Sequence, residues 1–367
     1  MYHISAHCRA IRLPVFLLAV FLLLPLPEIT GQAPDLVEAL QVRTLEQDSM
    51  VSTGRFSRFG NFFALISRNN NVRMYDADFD LLWSYRGRGD HGTAPGIAIS
   101  GDEARTIFPG YGSPSAIAVV DSGSGELIQR LTEHMEEVRA LTISPDDRYL
   151  VSFAPGELFL WRYSAADASY HLTDTENPGD LRVSALSISP DSRFLALGNT
   201  SDYINLYSID SENDALVPAG ELRPNQYYGN TGYLDGLQFS PDGRWLATGV
   251  RKELTIYRVD DGLPELWQVI PEIEDGSIYS LVFAPDSRTL FTGFGASTIA
   301  VWRLNDEPDD RVQASAVGIG QQALERGDPA PMWEYQSTFS DGQGYMADLD
   351  VSPDGRSLAS MSITENG

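Results

Sequence analysis

Residues 138–163 read VRALTISPDDRYLVSFAPGELFLWRY, and this stretch decides the fold. VRALTIS alternates apolar and polar positions, the period of a strand with one buried face. Ser144-Pro145-Asp146-Asp147 is a turn, because proline presets φ at its second position and aspartate tolerates the tight third. RYLVSFA is the next strand, Pro155-Gly156 the next hairpin turn, and LFLWRY a third strand rich in large apolar residues. A looser fourth strand follows in ASYHLTD near Tyr170. Four short strands in about 45 residues make one blade of a propeller.

The unit recurs. ALSISPDSRFLALG begins at Ala185, GLQFSPDGRWLATG at Gly236, SLVFAPDSRTLFTG at Ser280 and DLDVSPDGRSLASM at Asp348. Two degenerate copies without the proline, FSRFGNFFAL at Phe56 and ISGDEARTIF at Ile99, precede them. Aligned on the residue before the turn, units fall at Ser57, Ser100, Ser144, Ser189, Ser240, Ala284 and Ser352, with spacings of 43, 44, 45, 51, 44 and 68 residues. The expected fold is all-β, a seven-bladed propeller of four-stranded blades over residues 34–367. Such a ring leaves little sheet edge exposed.

Two departures stand out. The 68-residue spacing holds an insertion over about residues 305–331, a surface excursion with a short helix expected near Ala316 to Arg326. It joins the third and fourth strands of the sixth blade, with MWEYQSTF as the fourth. The last blade is apparently incomplete, since the chain stops at Gly367 before a third strand. ALQVRTLEQ, from Ala39, is placed to supply its outer strand and latch the ring. The chain then has a short last blade or is a fragment of a longer protein, and the fragment is the favoured reading.

These residues resemble the WD40-repeat propellers. The third strands end LFLWRY, INLYSI, LTIYRV and IAVWRL, and Trp161 and Trp302 match the family's tryptophan. Arg162 and Arg303 stand where the family dipeptide has aspartate. His134 matches the family's loop histidine, and the other repeats lack it. The side-chain network of histidine, serine, aspartate and tryptophan is therefore expected to be mostly missing. The resemblance implies a propeller that serves as a binding platform; the architecture alone supplies no activity.

Composition narrows the function. The chain has 26 basic against 51 acidic residues, a net charge of −25, and Lys252 is its only lysine. That balance argues against a nucleic-acid partner, whose phosphates need clustered cations. Cys8 is the only cysteine, so no intrachain disulfide forms. Arg9 and Arg12 precede the apolar run LPVFLLAVFLLLPL from Leu13 to Leu26, the length of a signal-peptide core and shorter than a spanning helix. Residues 1–33 are read as a signal peptide or, uncleaved, an N-terminal anchor. The body is expected to be exported: periplasmic, extracellular or anchored facing outward, with membrane contact only through that segment.

No GxSxG, HExxH or phosphate-binding loop occurs. The carboxylates of DADFD at Asp76 lack the glycine and glutamate of a calcium loop and read as a turn. The repeated turn aspartates share one structural role. No catalytic residue, metal or cofactor is assigned. Binding is expected on the face made by the fourth-to-first and second-to-third strand loops. These carry Tyr111, Tyr227, Tyr228, Tyr233, Tyr345 and His91. Tyrosine presents a rigid apolar body with a polar tip, which suits a protein or peptide partner. Packing of the loop bases is the competing role for these rings, and a solvated side chain for His91. The function expected is a non-enzymatic binding platform. The alternatives are a propeller hydrolase or lyase, or a propeller domain of a longer receptor or enzyme.

Overall fold

The computed structural model describes residues 17–23, 40–47, 51–67, 70–87, 96–110, 112–113, 115–179, 183–199, 203–224, 234–259, 263–271, 273, 276–295, 298–305, 332–340 and 345–363. The expected helix near Ala316 to Arg326 lies outside them.

Two strands come first, β1 (Leu17–Leu23) and β2 (Leu40–Gln47). Six antiparallel four-stranded sheets follow, each from contiguous chain. The first is β3 (Val51–Phe56), β4 (Phe62–Ser67), β5 (Val72–Asp76) and β6 (Leu81–Tyr85). The second is β7 (Ala98–Ile99), β8 (Arg105–Pro109), β9 (Ile117–Asp121) and β10 (Leu127–Leu131). The third is β11 (Ala140–Ile143), β12 (Tyr149–Ala154), β13 (Glu157–Ser164) and β14 (Ser169–Glu176). The fourth is β15 (Val183–Ile188), β16 (Phe194–Asn199), β17 (Ile204–Asp210) and β18 (Ala215–Leu222). The fifth is β19 (Leu234–Phe239), β20 (Trp245–Val250), β21 (Glu253–Arg258) and β22 (Glu265–Ile270). The sixth is β23 (Ile278–Phe283), β24 (Thr289–Phe294), β25 (Thr298–Asn305) and β26 (Met332–Ser340), so the insertion does join the third and fourth strands of its blade. Last come β27 (Tyr345–Val351) and β28 (Leu358–Ile363).

The fold is thus a β-propeller with six complete blades and a seventh that is partial in its own repeat, where the sequence reading expected seven. Its own unit supplies only β27 and β28, and the sheet order is β2-β1-β28-β27. The N-terminal strand β2 takes the outer position, as ALQVRTLEQ was expected to. The third position, read as vacant, holds β1, which pairs Ala19 with Met361 and Leu22 with Leu358. The inner strand of each blade lies against that of the next, and β27 lies against β3.

The Ser-Pro-Asp turns explain themselves atom by atom. In the fifth blade Ser240 Oγ donates to Asp242 Oδ1 at 2.6 Å and accepts from the N–H of Trp245 at 3.0 Å. Asp242 Oδ1 also accepts from the N–H of Arg244 at 3.0 Å. Ser144/Asp146, Ser189/Asp191 and Ser352/Asp354 repeat the pattern. Each side chain satisfies a backbone donor that the tight turn leaves over. The shared structural role of these aspartates is therefore visible in the geometry.

The residue after the turn aspartate has a second role that the motif does not advertise. It adopts positive φ at Glu103, Asp147, Ser192 and Ser287. That conformation aims its side chain at the neighbouring turn. Glu103 Oε1 accepts from the N–H of Phe59, and Asp147 Oδ1 from that of Gly101, at 2.5 and 2.6 Å. Ser192 Oγ accepts from the N–H of Asp146, and Ser287 Oγ from that of Asp242, at 3.3 and 2.9 Å. One blade's turn thus caps the turn before it.

The outer strands are managed in a common way. All seven carry a bulge at an equivalent point, at Val42, Leu82, Ile128, Thr173, Ala219, Trp267 and Gln336. Bulges bend an edge away from straight pairing with another chain. Polar side chains then clamp one outer strand to the next. Gln268 receives the N–H of Trp333 and donates to its carbonyl, both at 2.9 Å, and Gln129 does the same with Tyr170. Between blades the core is aromatic and aliphatic, as where Trp245, Phe283 and Trp333 meet edge to face.

Candidate functional site

The seven inner strands surround a cavity of about 790 Å³. The wall runs from Ser52, Ala140, Ala185 and Gly236 at the start of these strands to Pro145, Pro190 and Pro241 in the turns at their end. Its charged residues are Arg55, Arg58, Asp147, Asp348 and Asp350. Side chains stitch the inner strands together along the wall. Ser187 Oγ on β15 accepts from the N–H of Phe239 on β19 at 3.0 Å. Gln238 Oε1 on β19 accepts from Phe283 on β23 at 2.7 Å, and Ser280 Oγ on β23 from Leu349 on β27 at 3.0 Å. Asp350 Oδ2 on β27 accepts from Phe56 on β3 at 2.6 Å and closes the series.

Asp348 binds three blades at once. Its Oδ2 accepts from Thr53 Oγ1 and, at 2.5 Å, from Arg55 Nη1, both on β3 of the first blade. Its Oδ1 accepts from Ser280 Oγ of the sixth blade at 2.8 Å. Burial pushes Asp350 up to about 6; Arg55 and the N–H of Phe56 hold it back, while Asp348 adds to the rise. Burial opposes the charge on Arg55, but Asp348 and Asp350 outweigh it and hold Arg55 above its ordinary value. The cluster is built as a joint, with its hydrogen bonds spent across the gap between the last blade and the first.

The third blade holds a second constellation. His134 Nδ1 lies 2.8 Å from Glu157 Oε2, and its Nε2 lies 2.7 Å from Ser152 Oγ. Trp161 Nε1 donates to the same Ser152 Oγ at 2.8 Å. The indole can only donate and the carboxylate only accept, so Trp161 donates to Ser152 and Nδ1–H donates to Glu157. Burial holds His134 below its ordinary value, against the pull of Glu157, which favours the neutral ring with Nε2 accepting from the Ser152 hydroxyl. The ring stacks on Phe159 at 4.1 Å. The expectation that this network is mostly missing fails in this blade. Glu157, the first residue of β13, fills the aspartate's place with a longer side chain. In the sixth blade the described residues show one such bond, from Trp302 Nε1 to Thr292 Oγ1 at 2.8 Å. His134 is structural, as read from sequence.

Asp76 is the turn residue it was read to be, accepting from the N–H groups of Asp78 and Asp80 at 3.0 and 2.8 Å. Among the described residues no group of three or more His, Cys, Asp or Glu is placed to hold a metal ion. No helix of the described residues is long and apolar enough to cross a membrane.

His91, Tyr111, Tyr227, Tyr228 and Tyr233 lie outside the described residues. Tyr345 opens β27, and its side chain is outside them too. The flanking strands do fix where these connections start and finish. They run β6 to β7, β8 to β9, β18 to β19 and β26 to β27. In antiparallel meanders these junctions fall at one end of the blades, opposite the Ser-Pro-Asp turns. The interblade caps, the Asp348 joint and Glu157 went unread in the sequence. The polar residue after four of the turn aspartates, at Glu103, Asp147, Ser192 and Ser287, was the one available signal.

Comparison with known proteins agrees with this geometry. The family model described as "WD domain, G-beta repeat" matches residues 125–162, 223–257 and 268–303. A small ribosomal subunit protein RACK1 of Candida albicans is 24% identical over 186 residues, 49% of this chain and 55% of that protein. A pre-mRNA-processing factor 19 homolog 2 of Arabidopsis thaliana is 23% identical over 178 residues, 47% of this chain and 30% of its own length. The target of rapamycin complex subunit wat1 of Schizosaccharomyces pombe is 23% identical over 154 residues, 38% of this chain and 44% of its own length. The chain spans about half or less of the length of these relatives.

Proposed function

From the premise that the chain belongs to the WD40-repeat propellers, we propose that it is an exported, non-enzymatic platform for a protein or peptide partner. In this reading the ring closes with seven blades, and the partner sits on the face opposite the Ser-Pro-Asp turns. Tyr111, Tyr227, Tyr228, Tyr233, Tyr345 and His91 supply its contacts.

One observation carries the reading: the junctions of the four tyrosine- and histidine-bearing connections fall at the same end of the blades. Unusually long connections in a compact array commonly carry function. RPNQYYGNTGYLD is the longest among the regularly spaced units. The charged groups of the channel support a non-enzymatic role, because Asp348, Asp350 and Arg55 are spent on closing the ring. The names of two relatives point the same way. One is a ribosomal subunit protein and another a subunit of a complex, so both belong to assemblies.

Replacing Tyr227, Tyr228 and Tyr233 with alanine tests the face. Partner binding should weaken by about 2 kcal/mol or more if any is a hot spot, with the thermal midpoint unchanged. Normal binding by the triple variant refutes the assignment. Export is tested by N-terminal sequencing of secreted protein: a start near residues 32 to 36 leaves the seventh sheet without β1, whereas an uncleaved chain keeps that strand. Full-length protein in the cytoplasm contradicts it.

A further inference from the structure

Residues Leu17–Leu23 carry two assignments at once. They lie inside the apolar run Leu13 to Leu26, the signal-peptide core, and they form β1, the third strand of the seventh sheet. Both cannot hold in one mature molecule, because a chain that begins near residues 32 to 36 has lost β1. Resting on the export reading above, we infer that the third position of the seventh sheet is a strand-acceptor site in the mature protein. It takes an extended, continuously apolar segment of a partner polypeptide, antiparallel to β28.

The sheet shows why the position must be filled. In the order β2-β1-β28-β27, β1 is the strand that ties β2 to the rest. It pairs with β2 from Leu17↔Gln47 to Leu23↔Leu40 and with β28 from Ala19↔Met361 to Leu22↔Leu358, antiparallel to both. Without it one edge of β28 loses its ladder, and backbone groups left unpaired in a packed sheet are costly. The inner wall of the position stays in place, because β28 is held by its neighbours on both sides. Leu358 packs with Phe291 and Val301 of the sixth blade, and Ala359 and Met361 pack with Phe63 and Leu65 of the first.

The position also dictates what fits. Third strands are enclosed on both faces: four consecutive residues are buried at Ile117–Val120 of β9, Leu158–Trp161 of β13 and Ile299–Trp302 of β25. A strand covered on both faces is a continuous apolar run. LLAVFLL meets that demand without a polar residue. LQVRTLEQ does not, so β2 cannot slide inward without carrying Arg43 or Glu46 into the enclosed layer. In the six complete blades the third strand follows the second directly, whereas β1 arrives from the opposite end of the chain. A segment not joined to β28 can therefore occupy the position. Strand addition of this kind draws affinity from main-chain hydrogen bonds and specificity from alternate side chains.

The octapeptide Thr298–Asn305, TIAVWRLN, the third strand of the sixth blade, serves as the probe. The mature chain should bind it one to one, with slowed hydrogen exchange in β28 and β2. Full-length chain, with β1 in place, should bind it about tenfold or more weakly. The same peptide carrying Val301→Pro cannot complete the ladder and should not bind. Equal binding by the two chains overturns the inference, as does protection of β28 in the peptide-free mature chain equal to that in the full-length chain. So does a mature chain that dimerises and no longer takes the peptide, since a second copy then fills the site. Full-length Val20→Pro keeps the leader but breaks the ladder of β1, and it should bind the peptide as the mature chain does. This variant decides if the mature chain fails to fold, and absence of binding there overturns the inference. The export reading fails separately, through an uncleaved N-terminus on the secreted protein, and leaves the result for Val20→Pro unchanged.

Discussion

Ser152→Ala removes one oxygen and strands two buried groups. The hydroxyl accepts from Trp161 Nε1 and donates to His134 Nε2. Trp161 is 1% exposed and His134 3%, so water cannot replace the lost partner. A buried neutral group left unpaired costs about 1–2 kcal/mol, the lower part of the usual range, so the expected loss for two is about 2–4 kcal/mol. The sixth blade provides a scale within the same molecule. Thr292→Val preserves shape and strands only Trp302 Nε1, so it should cost about half as much, roughly 1–2 kcal/mol. Urea unfolding followed by tryptophan fluorescence reads both, with the slope against denaturant unchanged. A cycle with Trp161→Phe isolates the coupling. In that background Ser152→Ala should cost less by about 1 kcal/mol, because the indole donor is already gone. If Ser152→Ala costs no more than Thr292→Val, or less than about 0.5 kcal/mol, the network is not the connected unit described.

Asp147→Gly should destabilise by about 1–3 kcal/mol: the loss of charge-assisted bonds from Gly101 and Asp102 exceeds the relief of its positive φ. A midpoint that rises in thermal unfolding would reverse that ordering. Asp242→Ala should cost about 1 kcal/mol through its local turn bonds, with partner binding intact; abolished binding at unchanged stability would make it a site residue. His134 sits below its ordinary value through burial, so its stabilisation is complete above the ordinary imidazole range. It is lost as pH falls, because the unfolded chain takes up the proton first. His134→Asn should remove that acid-side slope from a stability profile, and a slope that persists would assign it to other groups.

Much of this was legible because repetition multiplies weak signals. One Ser-Pro-Asp is a turn; four in register, with Ala284-Pro285-Asp286, fix the inner hairpin of five blades. The sixth-blade insertion was placed correctly because MWEYQSTF still alternates after it. What stayed hidden depends on neighbours distant in sequence. Glu157 was overlooked because the network was sought by residue identity, and glutamate reaches the same imidazole with one more methylene. Ser192 and Ser287 looked like ordinary turn polars, since their partners belong to the preceding blade. The outer-strand bulges leave no mark in an alternating pattern, because a skipped residue such as Thr173 or Gln336 is chemically unremarkable for an exposed edge. Asp348 and Asp350 read as polar positions in a half-buried strand, and only ring closure brings Arg55 against them.

The most direct test of the central claim is affinity capture from the native envelope. Wild-type chain and the Tyr227/Tyr228/Tyr233→Ala variant serve as paired baits at matched thermal stability. The account predicts a protein enriched by the wild type, carried through at least tenfold less by the variant. A partner retained equally by both baits would contradict it.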